Sequence, residues 1–204
     1  SSAASDVYKR QVHFKIPVRG QKHKMVEMAK ENAQNVLRMD REKIKREERR
    51  TIGAVHEIEE LLGMEGLNRM EAFDISNISG FQTVASMVVF ERGKARRRDY
   101  RKFRLRTIEG PDDYASMEEV LTRRFLHGKK ELEELKEQGK DTTLGSFTKF
   151  PDILMMDGGK GQVNVALRVL DHLGLDIPVC GMVKDDDHRT RGLYYNNEEI
   201  IFAP

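Results

Sequence analysis

Two short apolar runs in this 204-residue chain each end on an aspartate. The first is Met70-Glu71-Ala72-Phe73-Asp74-Ile75-Ser76 and the second is Ile153-Leu154-Met155-Met156-Asp157. A carboxylate at the end of a buried strand is costly to desolvate unless a cation or a donor faces it. Two such carboxylates on adjacent strands would hold a hard divalent cation, which takes oxygen ligands. Metals in a pair roughly 3.5–4 Å apart can activate water and stabilise the leaving oxygen in phosphodiester hydrolysis. Either aspartate alone serves equally well as a loop or helix cap. The pair, at the ends of strands able to lie side by side, is what points to chemistry.

Four further groups could join them. Asp157 runs directly into Gly158-Gly159-Lys160-Gly161-Gln162, a strand, a glycine turn and a helix start. Glycines let backbone approach a phosphate, and a helix N-terminus offers free N–H groups. The spacing is not that of a P-loop, so a nucleoside triphosphate site is weakly supported. Asp112-Asp113 opens another helix, where Asp112 either completes a metal shell or caps the helix. Lys184-Asp185-Asp186-Asp187-His188-Arg189-Thr190 follows the last apolar strand. There Lys184 and Arg189 suit phosphate and His188 suits proton transfer, unless the loop is merely solvated. Lastly, Glu91 to Arg106 carries nine Lys and Arg against Glu91 and Asp99, with Arg96, Arg97 and Arg98 consecutive. That stripe is an electrostatic footprint for a phosphate backbone, or else a charge-protected edge strand. Ser76, Asn77, Phe81 and Gln82 follow Asp74 and would line the entrance.

The elements that must position these groups are readable from periodicity. Lys22 to Leu62 reads as a helical arm with an almost entirely charged middle, Arg38 to Arg50, stopped by Gly63 and Gly66. Met70–Ile75, the β-branched run Thr83–Phe90 and Arg96–Arg106 read as three antiparallel strands, with a hairpin turn at Arg92-Gly93-Lys94. Tyr114–Leu126 reads as helix and Gly128–Lys149 as a mostly exposed insertion. Strand Asp152–Met156, helix Lys160–Leu173 and strand Val179–Val183 complete a β-β-β-α-β-α-β order. Right-handed crossovers then make a mixed α/β sheet of ribonuclease H-like topology, with the first and fourth strands parallel neighbours.

Composition narrows the class. Charged residues make up 34% and hydrophobic ones 38%, and the net charge is only +2, so the distribution of charge and not its sum points to nucleic acid. The single cysteine, Cys180, allows no internal disulfide, which fits a cytoplasmic location. No apolar stretch approaches membrane-spanning length, so no membrane partner is expected. Residues 1–11 fit no structural pattern and read as a non-native or disordered leader. Residues 12–66 read as arm or linker, and 67–204 as the catalytic domain, cut short at its end.

Phe73-Asp74-Ile75-Ser76, Gln82-Thr83-Val84-Ala85-Ser86, Asp112-Asp113-Tyr114, the Asp157 to Gln162 turn and the Lys184 to Thr190 loop closely resemble the C-terminal endonuclease region of the UvrC family. These are nuclease subunits of the bacterial excinuclease ABC. The resemblance implies a ribonuclease H-like fold, a divalent metal (Mg²⁺ or Mn²⁺) and incision of damaged double-stranded DNA 5′ of a lesion. It also implies action with UvrB after UvrA loading. The family's catalytic aspartates fall on Asp74 and Asp157, with Asp112 as an assistant. Lys160, Lys184, His188, Arg189, Arg96, Arg97, Arg98 and Gln82 would contact phosphate. The family's catalytic histidine belongs to an Arg-Asp-Glu-x-His segment beyond Pro204, so this fragment is expected to be inactive alone. A non-catalytic DNA-binding scaffold is the first alternative, and a nucleotide-binding enzyme the second.

Overall fold

The computed structural model describes residues 17–78, 82–105 and 112–202. The chain divides between Glu48 and Arg49 into two compact units. The first contains α1 (Gly20–Glu48), a helix with no buried residue, whose charged middle stays helical. The second opens with a π-helical turn, Arg49–Gly53, and α2 (Ala54–Leu62). Gly63 ends α2 in the left-handed region at φ 62°, its N–H bonding back to Glu59 and Glu60.

The rest of this second unit is a sheet with helices on it. In chain order come β1 (Arg69–Ile78), β2 (Gln82–Glu91), β3 (Lys94–Ala95), β4 (Arg101–Arg104), α3 (Asp113–Glu137), β5 (Ile153–Asp157), α4 (Lys160–His172), β6 (Val179–Lys184), β7 (Thr190–Tyr195) and β8 (Glu198–Ile201). The sheet runs β3-β2-β1-β5-β6-β7-β8, with β4 also beside β2. The pairs β1–β5 and β5–β6 are parallel and the others antiparallel. Both crossovers step the same way across the sheet, so a single hand of connection puts α3 and α4 on one face.

Strand alternation sorts the core. Phe73, Met87, Leu154, Met156 and Val179 turn toward α3 and α4, meeting Met117, Leu121, Phe125, Val163 and Ala166. Met70, Ile153, Met155, Cys180 and Leu193 turn to the opposite face, where Val55 and Leu62 of α2 cover part of the sheet. Asp74 and Asp157 follow the second set by the period of two.

Two elements differ from the sequence reading. The arginine-rich segment is not one strand from 96 to 106. A 3₁₀ turn, Arg97–Asp99, separates β3 from β4, because Arg69 Nη1 draws Asp99 Oδ2 to 2.7 Å. Residues 106–111 lie outside those described, as does the turn expected at Ser79-Gly80. The second difference is Gly128, where the insertion is expected to begin after a helix ending at Leu126, yet it sits inside α3. A Cβ there would lie 2.5 Å from the Phe147 carbonyl and 2.6 Å from the Phe150 ring, so the residue is a notch in which the returning chain packs. The stretch expected as an exposed insertion is therefore helix to Glu137, then a segment docked on the core through Phe147 and Phe150.

A buried charge cluster fastens this arrangement. Glu71 on β1 and Arg124 on α3 have side chains 0% exposed and meet at 2.8 Å. Arg69 reaches the same Glu71 oxygen at 3.0 Å. Arg124 also donates to the carbonyls of Phe147 and Lys149, both at 2.8 Å. Removing one partner leaves an uncompensated buried charge, which typically costs about 3–5 kcal/mol. Arg124→Met should lower the urea unfolding free energy by about that amount. A loss below about 1 kcal/mol would show that the pair does not hold α3 to β1.

Candidate functional site

Asp74 lies within β1 and Asp157 ends β5. The parallel register pairs Phe73 with Met156, and one further step along both strands brings the two aspartates level. Their carboxyl groups come close enough for each to feel the other's charge. Lys184, at the end of the next parallel strand, faces Asp157 with its Nζ 2.6 Å from Oδ1 and 2.7 Å from Oδ2. Ser76 donates its hydroxyl to Asp74 Oδ2 at 3.2 Å. The ends of β5 and β6, the middle of β1 (which runs on to Ile78, past the strand end expected near Ile75) and the residue two places past Asp74 thus converge on one point.

The residues behind the site shape its electrostatics. Two positions back along β1, β5 and β6 stand Ala72, Met155 and Met182, which line an apolar hollow of about 300 Å³ under α2. Desolvation pushes the Asp74 carboxyl above the ordinary aspartate range. The charge of Asp157 and the hydrogen bond shared with it push the same way, while Ser76 and Lys184 pull it back. A cation between the carboxylates would relieve that repulsion. The donor set, two carboxylates open to solvent on one side, fits a hard divalent ion that keeps several waters. Among the described residues no group of three or more acidic, histidine or cysteine side chains gathers.

Asp157 and the turn after it depend on close backbone packing. Gly158 has φ 151°. A Cβ on Gly181 of β6 would lie 2.4 Å from the Gly158 carbonyl, so the turn folds over a strand position that must be bare. Gly159 precedes α4 without a side-chain cap, leaving the first N–H groups of that helix open beside exposed Lys160.

The other expected residues are distributed unevenly. Asp112 is the N-cap of α3, its Oδ1 accepting the Ala115 N–H at 2.9 Å. His188 and Arg189 lie in the exposed loop between β6 and β7, which Asp185 organises by accepting the N–H groups of Asp187 and Arg189. Gln82 begins β2 opposite Ile78. Phe81 lies outside the described residues. Arg96–Arg98 stand near the other end of the sheet. Arg96 Nε is 3.3 Å from Glu91 and Arg98 Nε 3.6 Å from Asp99. Glu91 pairs with Arg69, five residues or roughly 17 Å of strand from Asp74.

Strand register singles out two residues that sequence reasoning left in the crowd. Asp74 pairs with Ser86, and Ser86 with Lys102 on β4. Directly opposed residues share a face. Lys102 therefore stands in the row of Asp74, one of nine cations in the stripe but placed at the site's end of it. Only the 3₁₀ turn, not any local motif, decides which half of the stripe lies there.

A family described as the UvrC RNAse H endonuclease domain matches residues 59–204, and one described as the UvrC Ribonuclease H-like domain matches residues 2–40. The UvrABC system protein C of Lachnospira eligens is 60% identical over 191 residues, 94% of this chain and 30% of that protein. Its counterpart in Clostridium beijerinckii is 51% identical, covering 93% and 31%. The chain thus spans about 30% of the length of the curated relatives it matches. The crystal structure of human ENDOV aligns with a TM-score of 0.33 at 14% identity, covering 64% of each chain, too distant a likeness to build on. The first family match takes in the whole sheet together with Asp74, Asp157 and Lys184, and the chain belongs to the UvrC RNase H endonuclease domain family.

Proposed function

We propose that this chain is the endonuclease domain of a nucleotide excision repair protein, hydrolysing a phosphodiester of damaged double-stranded DNA 5′ of the lesion. One observation carries the reading. Two carboxylates from strands far apart in sequence meet on one face of the sheet, with the Lys184 ammonium against them. Asp74 and Asp157 would hold a divalent cation, Mg²⁺ or Mn²⁺, which when bound supplies Lewis acidity and an activated water. The remaining roles belong to the chain itself. Ser76 orients Asp74 through its Oδ2. Lys184 neutralises Asp157 and offers the nearest positive charge to an incoming phosphate. Lys160 and Arg189, exposed beside the ends of β5 and β6, suit the neighbouring phosphates. Asp112 acts as a helix cap. In the cell the domain would work in the bacterial cytoplasm, within the UvrABC system, on DNA bearing UvrB after UvrA has loaded it.

Incision of lesion-bearing DNA by a full-length protein carrying this chain tests the assignment. Asp74→Ala and Asp157→Ala should each lower 5′ cutting by about a hundredfold or more, since several kcal/mol of transition-state stabilisation are withdrawn. Unchanged cutting would favour the DNA-binding scaffold.

The raised Asp74 carboxyl gives a pH signature in the metal-free chain. A group whose folded pKa exceeds its unfolded one binds its proton more tightly when folded. Stability therefore falls as pH rises from the ordinary aspartate value of 3.8 through the raised one. Asp74→Asn should raise the denaturation midpoint at pH 7, and the gain should vanish near pH 3; an equal gain at both would contradict the cause given. Because the Lys184 ammonium competes for the same carboxylates, Lys184→Met should tighten Mn²⁺ binding several-fold by calorimetry. Weaker binding would mean that Lys184 supports the cation.

A further inference from the structure

Between β4 and the middle of α3 lies a groove of about 530 Å³ lined by Arg101, Lys102, Phe103, Arg123, Lys130 and Phe147. We propose that it is a second docking surface for the DNA phosphate backbone, distinct from the carboxylate site and from Arg96–Arg98, and that it sets the duplex across the β4 edge of the sheet. The inference rests on the nuclease reading above for the identity of the nucleic acid, but not for the groove's charge.

The charge balance favours an anion. Lys102 is exposed and has no hydrogen-bond or ion-pair partner among the described residues. Arg101 donates to the carbonyls of Arg98 and Tyr100 and lies 5.3 Å from the Phe147 ring centre, and among the described residues no carboxylate pairs with it. Arg123 lies 5.8 Å from the Phe103 ring, bonds the Arg104 carbonyl at 2.8 Å and meets Glu119 at 3.2 Å. Lys130 has only a 3.8 Å contact with Glu134. Glu131 is turned to the N–H groups of Ser146 and Phe147. Among the described residues, four cations thus face two acids. The aromatic rings and carbonyls hold the two guanidinium groups in place before any ligand arrives, which lowers the ordering cost of binding.

Position supplies the second argument. Lys102 shares a cross-strand row with Asp74, two strand spacings or roughly 10 Å away, and alternates with Arg101 and Phe103 on the α3 side, so it joins the carboxylate face to the groove over the β4 edge. Phosphates on one strand of a duplex recur about every 3.4 Å of axis. A strand seated at Asp74 and Asp157 therefore places a phosphate a few steps along near Lys102. Arg96–Arg98, by contrast, stand toward the opposite strand ends with Arg96 and Arg98 on Glu91 and Asp99. Contacts of this kind fix register and do not read sequence.

Fluorescence anisotropy with a labelled duplex, titrated across salt concentrations, tests the groove. Each phosphate contact contributes about 0.9 to the slope of log affinity against log salt, so Lys102→Gln with Lys130→Gln should flatten the slope by about two. Affinity at low salt should fall roughly tenfold. The control pair Lys136→Gln with Lys140→Gln makes the same change in net charge on exposed residues outside the groove lining and should leave both quantities near wild type. A wild-type slope in the groove variant, or an equal loss in the control, overturns the proposal. On the unaltered chain, duplex should shield Lys102 and Lys130 from acetylation read by mass spectrometry; equal labelling with and without duplex also overturns it. The two readings fail separately. Unchanged incision in Asp74→Ala with a flattened slope in the groove variant removes the catalysis and keeps the groove. Lost incision with an unaltered slope does the reverse.

Discussion

Two negative charges level on neighbouring strands repel, and the surroundings of Asp74 and Asp157 are organised around that repulsion. The parallel register of β1 and β5 forces the carboxyl groups level. The apolar hollow behind them weakens screening, and the open side admits water and ions. Lys184 answers from β6 at 2.6 Å. An arrangement of this kind is under tension without a cation and relaxed with one, the usual condition of a hard-metal site.

The tension is tolerable because β1 is held from its other face. Glu71 lies three residues before Asp74 but points toward α3, where Arg69 and Arg124 enclose it. The strand therefore carries an ion cluster on its core side and the candidate site on its opposite side. Arg124 also gathers the carbonyls of Phe147 and Lys149, so a segment remote from the site helps to fix the strand that bears it. A change at Arg124 would act on the site only through the strand's position.

Much of the ribonuclease H-like plan was legible in the chain because it rests on local patterns. An apolar run, an aspartate and then glycines mark the end of β5 without any tertiary knowledge. The parallel neighbours followed from connection rules. What stayed hidden depended on distant partners. Gly128 looks like the start of an exposed insertion until Phe147 and Phe150 are seen filling its notch. The arginine stripe looks continuous until Arg69, some thirty residues earlier, takes Asp99 and breaks the strand. Ile200-Ile201-Phe202 reads as a strand and falls at β8, but its antiparallel partner β7 escaped for a different reason. Its Asn196-Asn197 turn, with φ of 55° and 66°, was a readable two-residue signal lying just before an apolar run at the end of the sequence. The commitment of Asp112 to Ala115 was one of two roles its position allowed, and hydrogen bonding shows the cap.

The order of strands in the sheet has a consequence for synthesis. β1 pairs with β2 almost at once, but its other neighbour, β5, begins at Ile153, well after β1 ends at Ile78. At typical translation rates of about 5–20 residues per second, the second edge of the central strand waits roughly 4–15 s on the ribosome for its partner. Through that interval it presents unpaired backbone beside Met70 and Phe73, the sort of edge that recruits other nascent chains. Arg69 and Glu71, awkward to bury in the finished protein, are the charges that guard it meanwhile.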